Sequence, residues 1–228
     1  MEQRRTPAPR GVRSISIIVF LYLTVCSGAA PASVIIDEIM QNPAVVSDAR
    51  GEWFELFNTG AAVVDLYHWR IADLGTDSHV VNAHVIVPVR GYAVLARAGS
   101  GSGNGGAAAD YVYGGDIVLG NGADQLVLYD PAGTQIDRVA WDGGPGFPDP
   151  NGASMALLDP GLDNDVGGSW TVSTTPFGDG DLGTPGSANF ASFSDPPPQA
   201  AVPAPAPWGL LVLPAGWLLL RSRAPQRA

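Results

Sequence analysis

The stretch QLVLYDPAGTQIDRVAW, residues 125–141, decides the fold. Residues 125–129 and 135–141 are two short runs rich in aliphatic, β-branched and aromatic side chains, and Asp130, Pro131, Ala132 and Gly133 stand between them. Proline at the first central position presets φ for a turn, and a glycine closing it accepts backbone that other residues avoid. Two apolar runs joined in this way predict an antiparallel hairpin.

Outward from the hairpin the same punctuation recurs. Residues 34–40 (VIIDEIM) predict a strand ended by Asn42 and Pro43, because proline cannot donate to a ladder. Residues 52–57 (EWFELF) predict a second, stopped by Asn58, Thr59 and Gly60. A third region lies at residues 63–66 and 69–71, residues 84–87 run into Pro88, and residues 92–96 follow a turn at Arg90 and Gly91. Residues 99–109 are rich in Gly, Ser and Ala and read as a flexible loop. Sustained helical periodicity with caps is missing from this part of the sequence. Short strands at roughly ten-residue spacing predict an all-β antiparallel sandwich or barrel. Trp53, Trp69, Trp141 and Trp170 are its expected core anchors. Asn58 is placed to hydrogen-bond a turn, and Thr184-Pro185-Gly186 suits a turn with positive φ at Gly186.

The ordered segments also resemble the lamin tail domain family. The matching pieces are residues 34–40, 51–58 (GEWFELFN), 64–69 (VDLYHW), 87–95 (VPVRGYAVL), 119–128 (LGNGADQLVL), 133–139 (GTQIDRV) and 183–189 (GTPGSAN). The resemblance implies an immunoglobulin-like β-sandwich over residues 33–190, of a kind found on exported and surface proteins with no established activity of its own.

Charge narrows the partners. The chain has no lysine, and all 12 of its basic residues are arginine. Between residues 33 and 207 five arginines face 21 Asp and Glu, a net −16. Such a surface repels phosphate backbones and anionic headgroups, which argues against a nucleic-acid partner. It favours solubility and attracts divalent cations. The sole cysteine, Cys26, lies in the N-terminal segment, so the domain relies on packing rather than disulfides.

The two ends carry the address. Arg4, Arg5, Arg10 and Arg13 precede an apolar run at 14–25, and small residues come next, with Ala30 and Ala32 forming an A-x-A site. These are the marks of a secretory signal peptide over residues 1–32, cleaved after Ala32. The run is shorter than the roughly 20 residues of a spanning helix, which disfavours an uncleaved anchor. Lipidation is disfavoured because Val25, not a small residue, precedes Cys26. At the other end a Pro-rich linker, residues 191–207, leads to an apolar segment at 208–220 and to Arg221, Arg223 and Arg227. The arginines would stay cytoplasmic. Pro214, Gly209 and Gly216 weaken the segment as a lasting helix. Val202, Pro203 and Pro205 before this apolar segment and its arginines resemble the PEP-CTERM sorting signal of Gram-negative bacteria. That resemblance implies processing by an exosortase, a membrane-embedded cysteine transpeptidase. Ala204 stands where that signal usually has glutamate, and a plain C-terminal anchor is the competing reading.

Residues suited to chemistry are sparser. His68, His79 and His84, with Asp65 or Asp77, contain zinc-ligand types but match no zinc spacing, which favours surface histidines. Carboxylates pair at Asp37 and Glu38, Glu52 and Glu55, Asp163 and Asp165, and Asp179 and Asp181. On a regular strand Asp37 and Glu38 point to opposite faces and cannot serve one substrate. Asp159, Asp163, Asp165, Asp179 and Asp181 sit in Gly-containing acidic loops of the kind that bind calcium; EF-hand spacing is absent, and turn chemistry explains the same residues. There is no G-x-S-x-G, and Gly99–Gly106 lacks the lysine of a phosphate loop. The expectation is a non-enzymatic exported module for adhesion, envelope or matrix structure, with a surface protein or glycan as partner. The alternative is a calcium-linked, metal-dependent hydrolase or an accessory domain of one.

Overall fold

The computed structural model describes residues 34–189, apart from 74, 101 and 102. The described residues form β1 (Val34–Met40), β2 (Trp53–Asn58), β3 (Val64–Asp65), β4 (Arg70–Ala72), β5 (Ser78–Val80), β6 (Ile86–Val87), β7 (Tyr92–Ala96), β8 (Tyr111–Val112), β9 (Ala123–Tyr129), β10 (Gln135–Asp142), β11 (Met155–Leu157) and β12 (Trp170–Val172). The helical elements include one turn at Asp48–Gly51 and 3-10 turns at Gly114–Asp116 and Gly167–Ser169. The sheet orders are β12-β11-β1-β2-β7-β8, β10-β9-β4-β5 and β3-β6. Pairing is antiparallel except between β7 and β8. Ile36, Leu56 and Leu95 of the first sheet, Ile71, Leu128 and Val139 of the second, and Val64 and Val87 of the ribbon share one core, as an all-β sandwich requires.

The 125–141 hairpin forms as its chemistry predicts. The Gly133 N–H donates to the Asp130 carbonyl at 2.9 Å with φ of 82° at Gly133, and the Asp130 carboxylate accepts the Thr134 N–H at 2.8 Å. Asn58 accepts the Gly60 N–H and donates to the carbonyls of Ala62 and Val87. Gly186 takes φ of 84°. Trp53, Trp69, Trp141 and Trp170 are all buried. β5, β8, β11 and β12 are too short to show a period in sequence.

β1 departs from regular alternation. Its core-facing residues are Val34, Ile36 and Ile39, so one step has three residues instead of two. The pairing shows why: Ile36 faces Leu56 and Glu38 faces Glu55, which leaves Asp37 as the extra residue of a β-bulge. Beyond the bulge Met40 and Trp53 turn away from the main core and join Val94, Ala96 and Ala107 in a second apolar cluster, with Phe177 against it. The indole of Trp53 meets the Phe177 ring edge-on at 5.7 Å.

That second cluster corrects the flexible-loop reading of residues 99–109 over residues 103–109; residues 101 and 102 lie outside the described residues. Ala107 is wholly buried, and the buried Asn104 amide donates to the carbonyls of Ala98 and Ala107. The Asp179 N–H donates to the Gly105 carbonyl at 2.9 Å. The small residues serve close backbone approach: a Cβ on Gly106 would lie 2.3 Å from the Gly178 Cα, and one on Gly178 would lie 2.0 Å from the Gly105 carbonyl oxygen. Glycine-rich composition here is a packing requirement.

β11 pairs with β1 only at Glu38 and Ile39, so the first half of β1 needs other partners. Asp137 supplies one by accepting the Ile36 N–H at 2.6 Å, and Asn164 supplies the other by donating to the Ile36 carbonyl at 2.9 Å. The Trp170 indole in turn donates to the Asn164 carbonyl. Among the described residues no helix is long and apolar enough to cross a membrane. The signal and tail residues Ala30, Ala32, Val202, Pro203, Pro205, Arg221 and Arg223 lie outside the described residues.

Gly178→Ala should lower stability by at least about 1–2 kcal/mol, the cost of left-handed backbone alone. Gly115→Ala, which meets nothing within 4 Å, should stay within about 0.5 kcal/mol of the parent. Thermal melting of the two variants checks the contrast.

Candidate functional site

The bulge decides where the acidic side chains go. Asp37, Glu38 and Glu55 are all fully buried. Asp37 and Glu38 both meet the segment 184–189, which corrects the expectation that strand alternation would send them to opposite faces. Glu38 and Glu55 stand directly opposite each other on β1 and β2, an arrangement that costs free energy when both are charged.

The segment 184–189 crosses this group and supplies most of its hydrogen-bond donors. The Thr184 N–H donates to Glu38 at 2.8 Å and the Ser154 hydroxyl donates at 2.5 Å, whereas the Thr184 hydroxyl, with its single proton, stands between Glu38 Oε2 at 2.9 Å and Asn189 Oδ1. The Gly186 N–H donates to Glu55 Oε2 at 2.5 Å. The Asn189 amide donates to the Asp37 carbonyl at 2.8 Å and to Asp37 Oδ2 at 3.2 Å. Asp37 Oδ1 and Glu55 Oε1 are buried without a hydrogen-bond partner.

Burial and mutual repulsion set the protonation. Burial raises Asp37 well above the ordinary carboxylate range, and the charges of Glu38 and Asp137 push it further. Burial and the charges of Asp37 and Glu38 push Glu55 up to about 11. Glu38 is raised by burial too, against the pull of Ser154 and Thr184. The neighbouring Tyr92 hydroxyl is raised by burial and by Asp37 and Glu55. Asp137 is pushed by burial up to about 6, opposed by the Ile36 N–H and Asn164. The bare oxygens of Asp37 and Glu55 are the natural seats of protons, whereas Glu38 Oε1 accepts from both the Ser154 hydroxyl and the Thr184 N–H.

Glu52, just before β2, is served differently. Arg97 reaches both its oxygens at 2.9 and 3.0 Å, and the Leu119 N–H donates to it at 3.1 Å. Burial still outweighs these partners and pushes Glu52 up to about 7. Glu52 and Glu55, paired in the sequence, therefore belong to separate arrangements.

Four of the five carboxylates expected to bind calcium accept hydrogen bonds from the protein itself. Asp159 accepts the Gly161 N–H, and Asp163 accepts the Asp165 N–H. Asp165 pairs with Arg138 and accepts the Ala140 N–H. Asp181 is buried and accepts the N–H groups of Ala44 and Val45. Asp179 is exposed beside its backbone bond to Gly105. Among the described residues no three His, Cys, Asp or Glu side chains gather closely enough to hold a metal ion. His79 stands apart, bonded to Asp116 and the Tyr111 hydroxyl, whereas His68 and His84 both pack on the Tyr67 ring and His84 bonds Asp65. An open pocket of about 250 Å³ lies between residues 106–108 and 175–187, and Thr175, Phe177, Thr184, Pro185 and Ser187 line it with no titratable group.

The buried acidic group leaves only a faint mark in the sequence. The available signal was a single acidic residue, Glu55, inside the apolar run WFELF, facing a second acidic interruption in VIIDEIM. Residues 27–143 match the family model described as Lamin Tail Domain. That match spans β1 to β10, and β11, β12 and the segment over the acidic group lie beyond it. No curated protein matches the chain.

Arg97→Met should destabilise the fold by about 3 kcal/mol near pH 8, since it leaves a buried carboxylate without its cation. The loss should shrink near pH 5, where Glu52, already raised to about 7, takes up a proton. Urea unfolding at the two pH values measures both.

Proposed function

The chain belongs to the lamin tail domain family, and from that premise we propose that it is a non-enzymatic, exported β-sandwich module. Its role is adhesion, envelope or matrix structure through contacts with a surface protein or a glycan. Residues 1–32 direct export, and the tail from Val202 to Arg227 directs sorting at the membrane by an exosortase-type enzyme.

The observation that carries the non-enzymatic reading is the use of the acidic side chains. General acid–base work needs a carboxyl within reach of a substrate proton. Here Asp37, Glu38 and Glu55 lie beneath residues 184–189, and Glu52 is closed off by Arg97 and Leu119. The open pocket holds hydroxyl, proline and aromatic groups instead. An immunoglobulin-like, non-catalytic family is consistent with that arrangement.

Export is tested by fractionating cells that express the whole chain or a chain ending at Pro207, and then sequencing the mature termini. The expected mature protein begins at Ser33, and loss of the tail changes where it is retained. A cytoplasmic product that keeps Met1 overturns the export reading. Thermal melting in calcium and in EDTA tests the acidic loops. Binding to the native state raises the melting temperature, and the expected result is the same temperature in both.

A further inference from the structure

We infer that residues 184–189 form a proton-locked strap, held closed while Asp37 and Glu55 keep their protons and released as those protons leave. Three carboxyl groups from two adjacent strands share a site with no exposure to solvent, and like groups face each other across the Glu38 and Glu55 pair. Two of their oxygens, Asp37 Oδ1 and Glu55 Oε1, have no donor. The strap that seals them contributes Thr184, Gly186 and Asn189, none of which titrates.

The other groups around the site add no positive charge. From β1 come Asp37 and Glu38, from β2 Glu55, from β7 Tyr92, from the approach to β8 Asp110, and from β10 Asp137. Asp110 accepts the Val94 N–H, and Asp137 accepts the Ile36 N–H, so each is anchored to a strand. Among the described residues, no arginine is one of the groups that act on Asp37, Glu38 or Glu55; Arg97 and Arg138 are engaged with Glu52 and Asp165, and Arg70 lies over the Tyr129 ring at 3.8 Å. Charge neutrality in the closed site therefore depends on protons.

Opening the strap admits water and returns the carboxyl groups toward ordinary acidity, so opening releases protons. An equilibrium that releases one proton shifts about tenfold per pH unit. The seal is also local. The strap is held mainly by side-chain acceptors and sits outside the main core, so it can lift while the sandwich stays folded. The strap is the last described segment before the Pro-rich stretch of sequence at residues 191–207.

The test is amide hydrogen exchange of the full chain between pH 6 and pH 9, corrected for intrinsic exchange, comparing the parent with Glu55→Gln. In the parent, the opening constant reported by Thr184 and Gly186 should rise about tenfold per pH unit for each proton released, while the β9 and β10 amides stay flat. Glu55→Gln keeps an oxygen for the Gly186 N–H and removes the titrating group, so its strap should open with a shallower slope. A flat parent profile overturns the inference. So does an unchanged slope in Glu55→Gln, or a rise in the hairpin amides that matches the strap. Asp37→Asn repeats the comparison if Glu55→Gln does not fold.

Discussion

The pairing of Glu38 with Glu55 across β1 and β2 constrains much of the structure around it. Two buried carboxyl groups in register cannot both be charged without a counter-ion or a dense set of donors. The bulge at Asp37 adds a third acid to the same place. The three acids are accommodated unequally. Glu38 Oε1 is given two donors, and Asp37 and Glu55 each keep one bare oxygen. The segment that provides the donors becomes part of the fold, and the sheet's outer face acquires a layer that a two-sheet sandwich alone would lack.

The same bulge sets the hydrophobic phase. Before it, Val34 and Ile36 feed the main core; after it, Ile39 does, and Met40 turns outward beside Trp53. The outer apolar cluster needs its own cover, which comes from Ala107 and Phe177. The close approach of Gly106 to Gly178 lets those two covering segments touch. One inserted residue in β1 thus links the acidic group, the second cluster and the glycine-rich loop. The family match ends at residue 143, so the cover over the acidic group is built from sequence beyond the matched region.

The strands with the strongest local signals were legible from sequence. The Asp130–Gly133 turn, the Asn58 turn and the Gly186 turn each rest on one residue's backbone or side-chain preference, and each forms. The four tryptophans went to buried positions because large apolar area leaves few alternatives. The short strands β5, β8, β11 and β12 are defined by tertiary pairing rather than by their own period. The acidic group was illegible because alternation assumes a regular strand, and a bulge leaves no single-residue mark in VIIDEIM. The loop at 99–109 misled because glycine allows both looseness and tight backbone contact, and composition does not distinguish them. In the acidic loops Asp159, Asp163, Asp165 and Asp181 each accept nearby backbone N–H groups, the turn chemistry that their sequence allowed beside calcium.

The most direct measurement is the unfolding free energy of the parent protein as a function of pH. Asp37, Glu38 and Glu55 are raised in the folded state, so that state binds more protons than the unfolded chain. Their contribution is complete below the ordinary carboxylate range and is lost as pH rises toward the folded values, which for Glu55 reach about 11. Asp65 and Asp142, both lowered, act in the opposite direction, and only at acid pH. Glu52, raised to about 7, and Asp137, raised to about 6, act in the same direction, but their effect ends by about pH 8. Urea unfolding from pH 6 to pH 9 should therefore show stability still falling above about pH 8. Stability that is constant or rising there would mean the buried carboxyl groups do not hold protons, and the constraint that calls for the outer layer would be absent.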